Sequence, residues 1–376
     1  MNFDHARQQT PWAPGPARKY LLGLAVLLGI GCFASRNLGD LPQRETAAQK
    51  SPASSAASEP VAPDLQLYQA VVAEVRGGKN YYDSAYPLIK QFGFPVSSPF
   101  NWRLPTYAYF FAIFPGPAWI QAAAIFLAIA GLLMAFTAEA DEIGFGPALV
   151  TLVGLAGVGL WTIDGGAYYT QEVWAALLIL LSIGCHAQQW HWESVVAGLA
   201  ALSLREHALP YCLVAATLSW IYGRHLQTVG WALGITGFFV LLLWHSSQVA
   251  QRVQLEDLNP AMGMGQWVRW GGLDFILTTA RMNYFLNSLP SGAGWVLFVY
   301  VACSLIGLAE LPPERAWLLL LTTTLYLAAY CVVGRKENVY WGLLYAPLLP
   351  WGWSRFCLTL MRVGRVACSR QPPLAN

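Results

Sequence analysis

The sequence predicts an all-α polytopic membrane protein, and three observations carry that reading. First, 56% of the 376 residues are hydrophobic and only 11% are charged, against roughly 25% charged in an average soluble domain. Second, apolar runs of near-membrane length follow one another from residue 118 to residue 357. Third, the one long polar stretch rich in aromatic residues, 64–106, lies between the first such run and the second. A soluble chain of this size has too little interior for so much apolar surface.

The chain opens with a polar tail, 1–19, that ends in Arg18-Lys19. Tyr20–Ser35 (20–35) is the first apolar run. Its length suits either a cleaved signal peptide or a first transmembrane helix, with Arg18 and Lys19 held in the cytoplasm in the second case. The following segment, 36–63, is rich in Ala, Ser and Pro and reads as a disordered linker.

Residues 64–106 are expected to form a structured external loop on the membrane surface. Tyr68, Val71, Val72 and Val75 follow the i, i+3, i+4, i+7 spacing of one helix face. Asp64 stands at the expected N-cap, and Gly77-Gly78 at the expected stop. Paired tyrosines, four prolines and the group Asn101-Trp102-Arg103 follow.

Further spans are expected near Ala118–Ala138, Phe145–Ile163, Val173–Ala187, Ser194–Leu204, Ala208–Tyr222, Gln227–His245, Gly292–Ala309, Ala316–Val333 and Val339–Cys357. With the first run this makes about ten, several of them shorter than the ~20 residues of a straight span. The tail 358–376 carries Arg362, Arg365 and Arg370, which favours the cytoplasm for both ends; the acidic turn near Ala138–Gly144 opposes that rule. In this topology 64–106 and the turns at Asp164–Glu172, Arg205–His207 and Arg335–Asn338 share the non-cytoplasmic face with the loop Ser246–Ser291. Function is expected there.

Asp64, Asp164 and Glu172 are the candidate carboxylates; each also has an ordinary reading as a helix-terminal or turn residue. Arg205-Glu206-His207 interrupts an otherwise apolar stretch, where charge is costly unless paired or wet. Arg205, His207, Arg103 and Arg335 are the candidate anion ligands, with an interfacial anchor as the plain reading of Arg103 and snorkelling or an Arg205–Glu206 pair that of Arg205. The loop Ser246–Ser291 offers Asp257, Trp267, Arg269, Trp270, Asp274 and Arg281, suited to sugar stacking or to an interfacial helix. The seven cysteines include no C-x-x-C pair, no metal-ligand spacing is present, and nothing points to nucleic acid.

Several short motifs together resemble the GT-C superfamily of membrane glycosyltransferases. They are D-x-x-x-Y at Asp64 and Tyr68, R-G-G-K-N-Y-Y at Arg76–Tyr82, W-R-L-P at Trp102–Pro105, Y-T-Q-E-V-W-A at Tyr169–Ala175, L-R-E-H-A-L-P at Leu204–Pro210 and N-V-Y-W-G-L-L-Y-A-P-L at Asn338–Leu348. The resemblance implies a glycosyltransferase module over 64–357, a polyprenyl-phosphate-linked sugar donor, and a lipid, glycan or protein acceptor beside the membrane lipids. It implies an acidic base or acceptor-positioning group at Asp64 and donor-phosphate contacts from Arg103 and Arg205. The family's paired first-loop acids are absent, since Leu65 and Gln66 follow Asp64, so no paired-acid motif supports a divalent metal. A transporter or flippase, or a non-enzymatic scaffold with a partner-binding loop, is the alternative.

Overall fold

The computed structural model describes residues 14–41, 63–257 and 268–368; the tail residues 1–13 and 369–376, most of the linker 36–63, and Trp267 lie outside them. Every named element among the described residues is helical, apart from one isolated bridge between Arg269 and Val333. Five helices are long and apolar enough to cross a membrane. They are α1 (Pro14–Ser35), α6 (Pro117–Ile143), α7 (Phe145–Gly159, continued by a 3-10 turn to Thr162), α11 (His225–Ala250) and α15 (Pro313–Val332). The 64–106 region supplies α2 (Pro63–Arg76), α3 (Tyr81–Gln91) and α4 (Pro99–Trp102), and α5 (Pro105–Ala112) follows at its end. Between the long helices stand α8 (Gln171–Ala187), α9 (His191–Leu204), α10 (Leu209–Ile221), α12 (Gly272–Ala280), α13 (Tyr284–Asn287) and α14 (Gly294–Leu308). The chain closes with α16 (Leu349–Cys368).

Each expected apolar run overlaps a helix, but several boundaries move. α1 begins at Pro14 and α16 runs to Cys368, so helix enters both expected tails. The first part of the linker is bound rather than loose. Gly39 donates its N–H to Asp274 Oδ1 at 2.8 Å, and buried Arg281 donates to Gly39 O at 2.6 Å. Arg281 also donates to Leu289 O and Pro290 O. It therefore rivets the exit of α1 to the loop before α14 and is not a ligand-facing cation.

The largest departure concerns the expected span Val339–Cys357. Its first half is a 3-10 segment, Lys336–Leu344, with non-helical backbone at Asn338, and α16 starts only at Leu349. The reason is close packing. A Cβ on Gly342 would come within 2.0 Å of the Thr279 carbonyl on α12, so this segment presses backbone against backbone. Tyr345 is fully buried, with its hydroxyl donating to Ile276 O at 3.2 Å. Irregular backbone is tolerated at such depth only inside protein, where its polar groups find partners.

α2 forms as its spacing predicts, with Tyr68, Val71, Val72 and Val75 all buried. Asp64 is a correction: the helix begins at Pro63, so Asp64 lies within the first turn rather than at the N-cap. Proline suits that first position because it lacks the N–H that would go unpaired there. The buried side of α2 packs on Tyr107 of α5, ring centroids 5.7 Å apart.

At the opposite end of the bundle, Glu139 of α6 is fully buried between Arg355 and Arg315. Arg355 donates to both its oxygens, at 3.2 and 2.6 Å, and both arginines also reach Glu142. Glu139 and Glu142 in the acidic last turns of α6 are thus paired from α15 and α16.

Two ends of one bundle should label from opposite sides. Lys79 and Glu337 are exposed at the end that carries α2, and Glu310 is exposed at the other. With the native cysteines replaced, cysteine at Lys79 or Glu337 should react with an impermeant thiol reagent from the same side. Cysteine at Glu310 should react only from the opposite side.

Candidate functional site

The end of the bundle that carries α2 gathers most of the candidate residues. Arg205 is held between α9 and a 3-10 turn, Glu206–Ala208, while Glu172 lies in the first turn of α8. Arg205 is 0% exposed and Glu172 2%. Arg205 Nη1 donates to Glu206 Oε1 at 2.9 Å. Its Nε also stands 2.9 Å from Glu172 Oε1, an ion pair without hydrogen-bond alignment. One guanidinium thus ties α8 to the α9–α10 turn through two carboxylates. The Arg205 Nη2 and both amide atoms of Gln171, itself fully buried, have no hydrogen-bond partner among the described residues.

His207 completes this group. Its Nδ1 is 3.0 Å from Glu206 Oε1, and its ring lies 4.7 Å from that of Trp341. Burial, aided by Arg205, pushes the imidazole below its ordinary value and keeps it neutral near pH 7. Burial would raise the Glu206 carboxyl, but Arg205, the His207 contact and Arg103 together outweigh it and hold that group well below the usual range. With Glu172 opposite, the positive charge of Arg205 is already answered. The sequence reading of Arg205 as an anion ligand therefore gives way to a structural tie, with only Nη2 left over.

Arg103 is placed differently. It follows α4 with φ 64° and ψ 163°, a backbone region that is essentially glycine's and costs another residue about 1–3 kcal/mol. The surroundings enforce it. Trp102 is buried with its indole N–H donating to Val96 O at 2.8 Å, and the Tyr81 hydroxyl donates to Arg103 O at 3.0 Å. The half-buried guanidinium donates to neutral oxygens alone among the described residues: Tyr68 Oη at 3.1 Å, Tyr340 Oη at 3.4 Å and Phe100 O at 3.4 Å. Tyr340 in turn donates to Asn338 Oδ1 at 3.2 Å. Burial raises the Tyr68 phenol against the pull of Arg103, so its hydroxyl stays neutral.

Arg103 and Glu206 border a crevice closed by Leu242 and His245 of α11, with room for about one water molecule. His245 is buried, its Nδ1 3.0 Å from the Tyr82 hydroxyl and its Nε2 3.1 Å from Pro99 O. Because Nε2 donates to a carbonyl, Nδ1 accepts from the tyrosine.

Asp64 and Asp164 are both half-buried and enter no ion pair among the described residues. The first turn of α2 packs on the turn that carries Asp164, where Leu65 meets Gly166. Arg335 stands apart, 3.8 Å from exposed Glu337. Asp257 of the later loop binds Lys90 at 2.8 Å and the Tyr86 hydroxyl at 2.6 Å, and so anchors α3. Sequence reasoning missed Gln171, Tyr340 and His245. Tyr340 reads as an aromatic-belt residue, Gln171 lies at a helix start where polar residues are common, and His245 reads as the end of its expected span. No group of three or more His, Cys, Asp or Glu residues that could hold a metal ion occurs among the described residues.

Against this geometry, comparison with family models, with curated proteins and with solved structures returned no match. The fold and site are those of a helical protein with five helices long and apolar enough to cross a membrane, a buried ionic group at one end and, beside it, a cation with no carboxylate ion-pair partner among the described residues.

Removing Arg205 leaves the buried Glu172 carboxylate and the partly buried Glu206 carboxylate without their shared cation. Arg205→Ala should therefore cost about 3–5 kcal/mol, and adding Glu172→Gln and Glu206→Gln should recover most of the loss. Thermal unfolding in detergent measures both. Acid should act the same way. His207 has its value depressed below 6.5, so the folded state binds fewer protons there than the unfolded chain. That share of stability is complete above pH 6.5 and is lost as pH falls through the folded value; the Glu206 share follows below its ordinary 4.5. The melting temperature should drop between pH 7 and 5, and His207→Gln should flatten that drop.

Proposed function

We propose that this protein is an integral-membrane glycosyltransferase that moves a sugar from a polyprenyl-phosphate donor to a hydroxyl acceptor on the non-cytoplasmic side of the membrane. The observation that carries the reading is Arg103. It is a half-buried cation held by neutral oxygens, in a strained backbone, at the end of an apolar helical bundle. Strain of that kind persists where the surroundings enforce it, and it concentrates at functional sites.

In the reaction, the acceptor oxygen forms a bond to the sugar's anomeric carbon while the bond from that carbon to the phosphate oxygen breaks. The phosphate leaves with the bonding electrons. Arg103 meets that growing negative charge with a planar guanidinium fixed before the reaction, so no solvent needs to reorganise. The acceptor proton passes to a carboxylate. Asp64 is the better placed group for this role, because Glu172 is engaged by Arg205. Asp164, on the turn packed against α2, is the second choice. The bundle's apolar flank offers the lipid tail a surface that a soluble domain lacks. Transport is less well supported, because the ionic groups cluster at the two ends of the bundle rather than near its middle.

Arg103→Gly separates strain from function. Glycine adopts this backbone freely, so the variant should melt at the same temperature or higher. Its transfer efficiency should fall about 100-fold or more, measured as sugar transfer from a short-chain polyprenyl-phosphate donor. Asp64→Asn should keep the fold and lose transfer. Full transfer by well-folded Arg103→Gly would refute the assignment of Arg103, and full transfer by Asp64→Asn would move the base to Asp164.

A further inference from the structure

The turn between α8 and α9, at the end of the bundle away from Arg103, has its own built cavity. Gln189 donates its N–H to His186 O at 3.1 Å and Trp190 to Cys185 O at 2.8 Å, a helix stop that places one residue in the left-handed region. That residue is ordinarily glycine. Here it is Gln189, with φ 63°, the other non-glycine residue besides Arg103 with positive φ among the described residues. A glycine would make the same turn without strain, so the side chain is what the position retains.

That side chain lines a crevice of about 370 Å³ together with Trp190, His191, Trp192, Glu193 and Gln227, within the size range of small-ligand sites. One wall is fixed. The Trp192 ring lies over Gly230 of α11, where a Cβ would come within 2.8 Å of it. The chemistry of the lining is specific. Glu193 forms no ion pair among the described residues, whereas nearby Arg224 is engaged by Glu314, as is His186. Burial lowers the His191 imidazole, and Arg224 adds to this, so it is neutral near pH 7. The crevice therefore presents one carboxylate without an ion-pair partner among the described residues, two half-exposed indoles and two side-chain amides. This set suits an alkylammonium group, which a carboxylate and aromatic faces bind together. Trp190, Trp192, Trp220 and Tyr222 are all exposed at this end, as aromatic side chains are at the headgroup level of a bilayer.

We propose that the crevice at the α8–α9 turn is a binding site for the ammonium headgroup of a zwitterionic membrane lipid. The inference is independent of the transferase reading. The test uses the full chain reconstituted in nanodiscs of equal phosphatidylethanolamine and phosphatidylglycerol, then extracted in mild detergent for native mass spectrometry of retained lipid. The wild type should keep phosphatidylethanolamine preferentially. Glu193→Gln, at an exposed position, should fold normally and lose that preference about tenfold. Gln189→Gly should melt no lower, since it relieves the turn, and still weaken retention. Glu310→Gln, outside the crevice, should change nothing. An unchanged preference in both Glu193→Gln and Gln189→Gly would overturn the proposal. So would displacement of the lipid by millimolar glycerophosphoethanolamine, which would make the site one for a soluble amine.

Discussion

Charge inside an apolar bundle must be answered by charge, and the ends of this structure are organised by that rule. Stranding one member of a buried pair costs about 3–5 kcal/mol, a large share of a domain's net stability of about 5–15 kcal/mol. At one end Arg205 draws Glu172 and Glu206 together and so fixes the start of α8 against the α9–α10 turn. At the other, Arg315 and Arg355 enclose Glu139. The first ties together neighbouring helices, and the second joins α6 to α15 and α16, far later in the chain.

Against that background two places combine charge with unusual backbone. Arg103 and Glu193 are, like Asp64 and Asp164, charged groups without an ion-pair partner among the described residues, and the two lie at opposite ends of the bundle. Arg103 itself, and Gln189 four residues before Glu193, have backbones that suit glycine. The two features are independent, since backbone strain is not produced by a missing counter-ion. The two proposals, a phosphate at Arg103 and an ammonium at Glu193, rest on the coincidence of those features.

The same rule explains why short helices and irregular backbone coexist with apolar surface. The Lys336–Leu344 segment brings Tyr340 to Arg103 and Trp341 to His207. A regular helix there would keep its backbone from Thr279 and would aim these rings elsewhere. Gly342, with no Cβ, is what lets the segment lie so close.

The sequence by itself determined what local pattern and composition can settle. Apolar runs set the helices, the 3.6-residue spacing set the buried face of α2, and the scarcity of charge set the membrane class. It also marked Arg205 as out of keeping with its apolar surroundings, and it named Arg103 and Glu172 among the candidates. Tertiary structure decided what each of them meets. Arg205 turned from a ligand candidate into a tie because Glu172, 33 positions earlier, packs beside it. Arg281 became a rivet because the exit of α1 ends on it. The expected last span split because α12 left no room for a helix at Gly342. Those outcomes depend on long-range packing, and a periodicity read along the chain contains no information about which distant residue will lie 3 Å away.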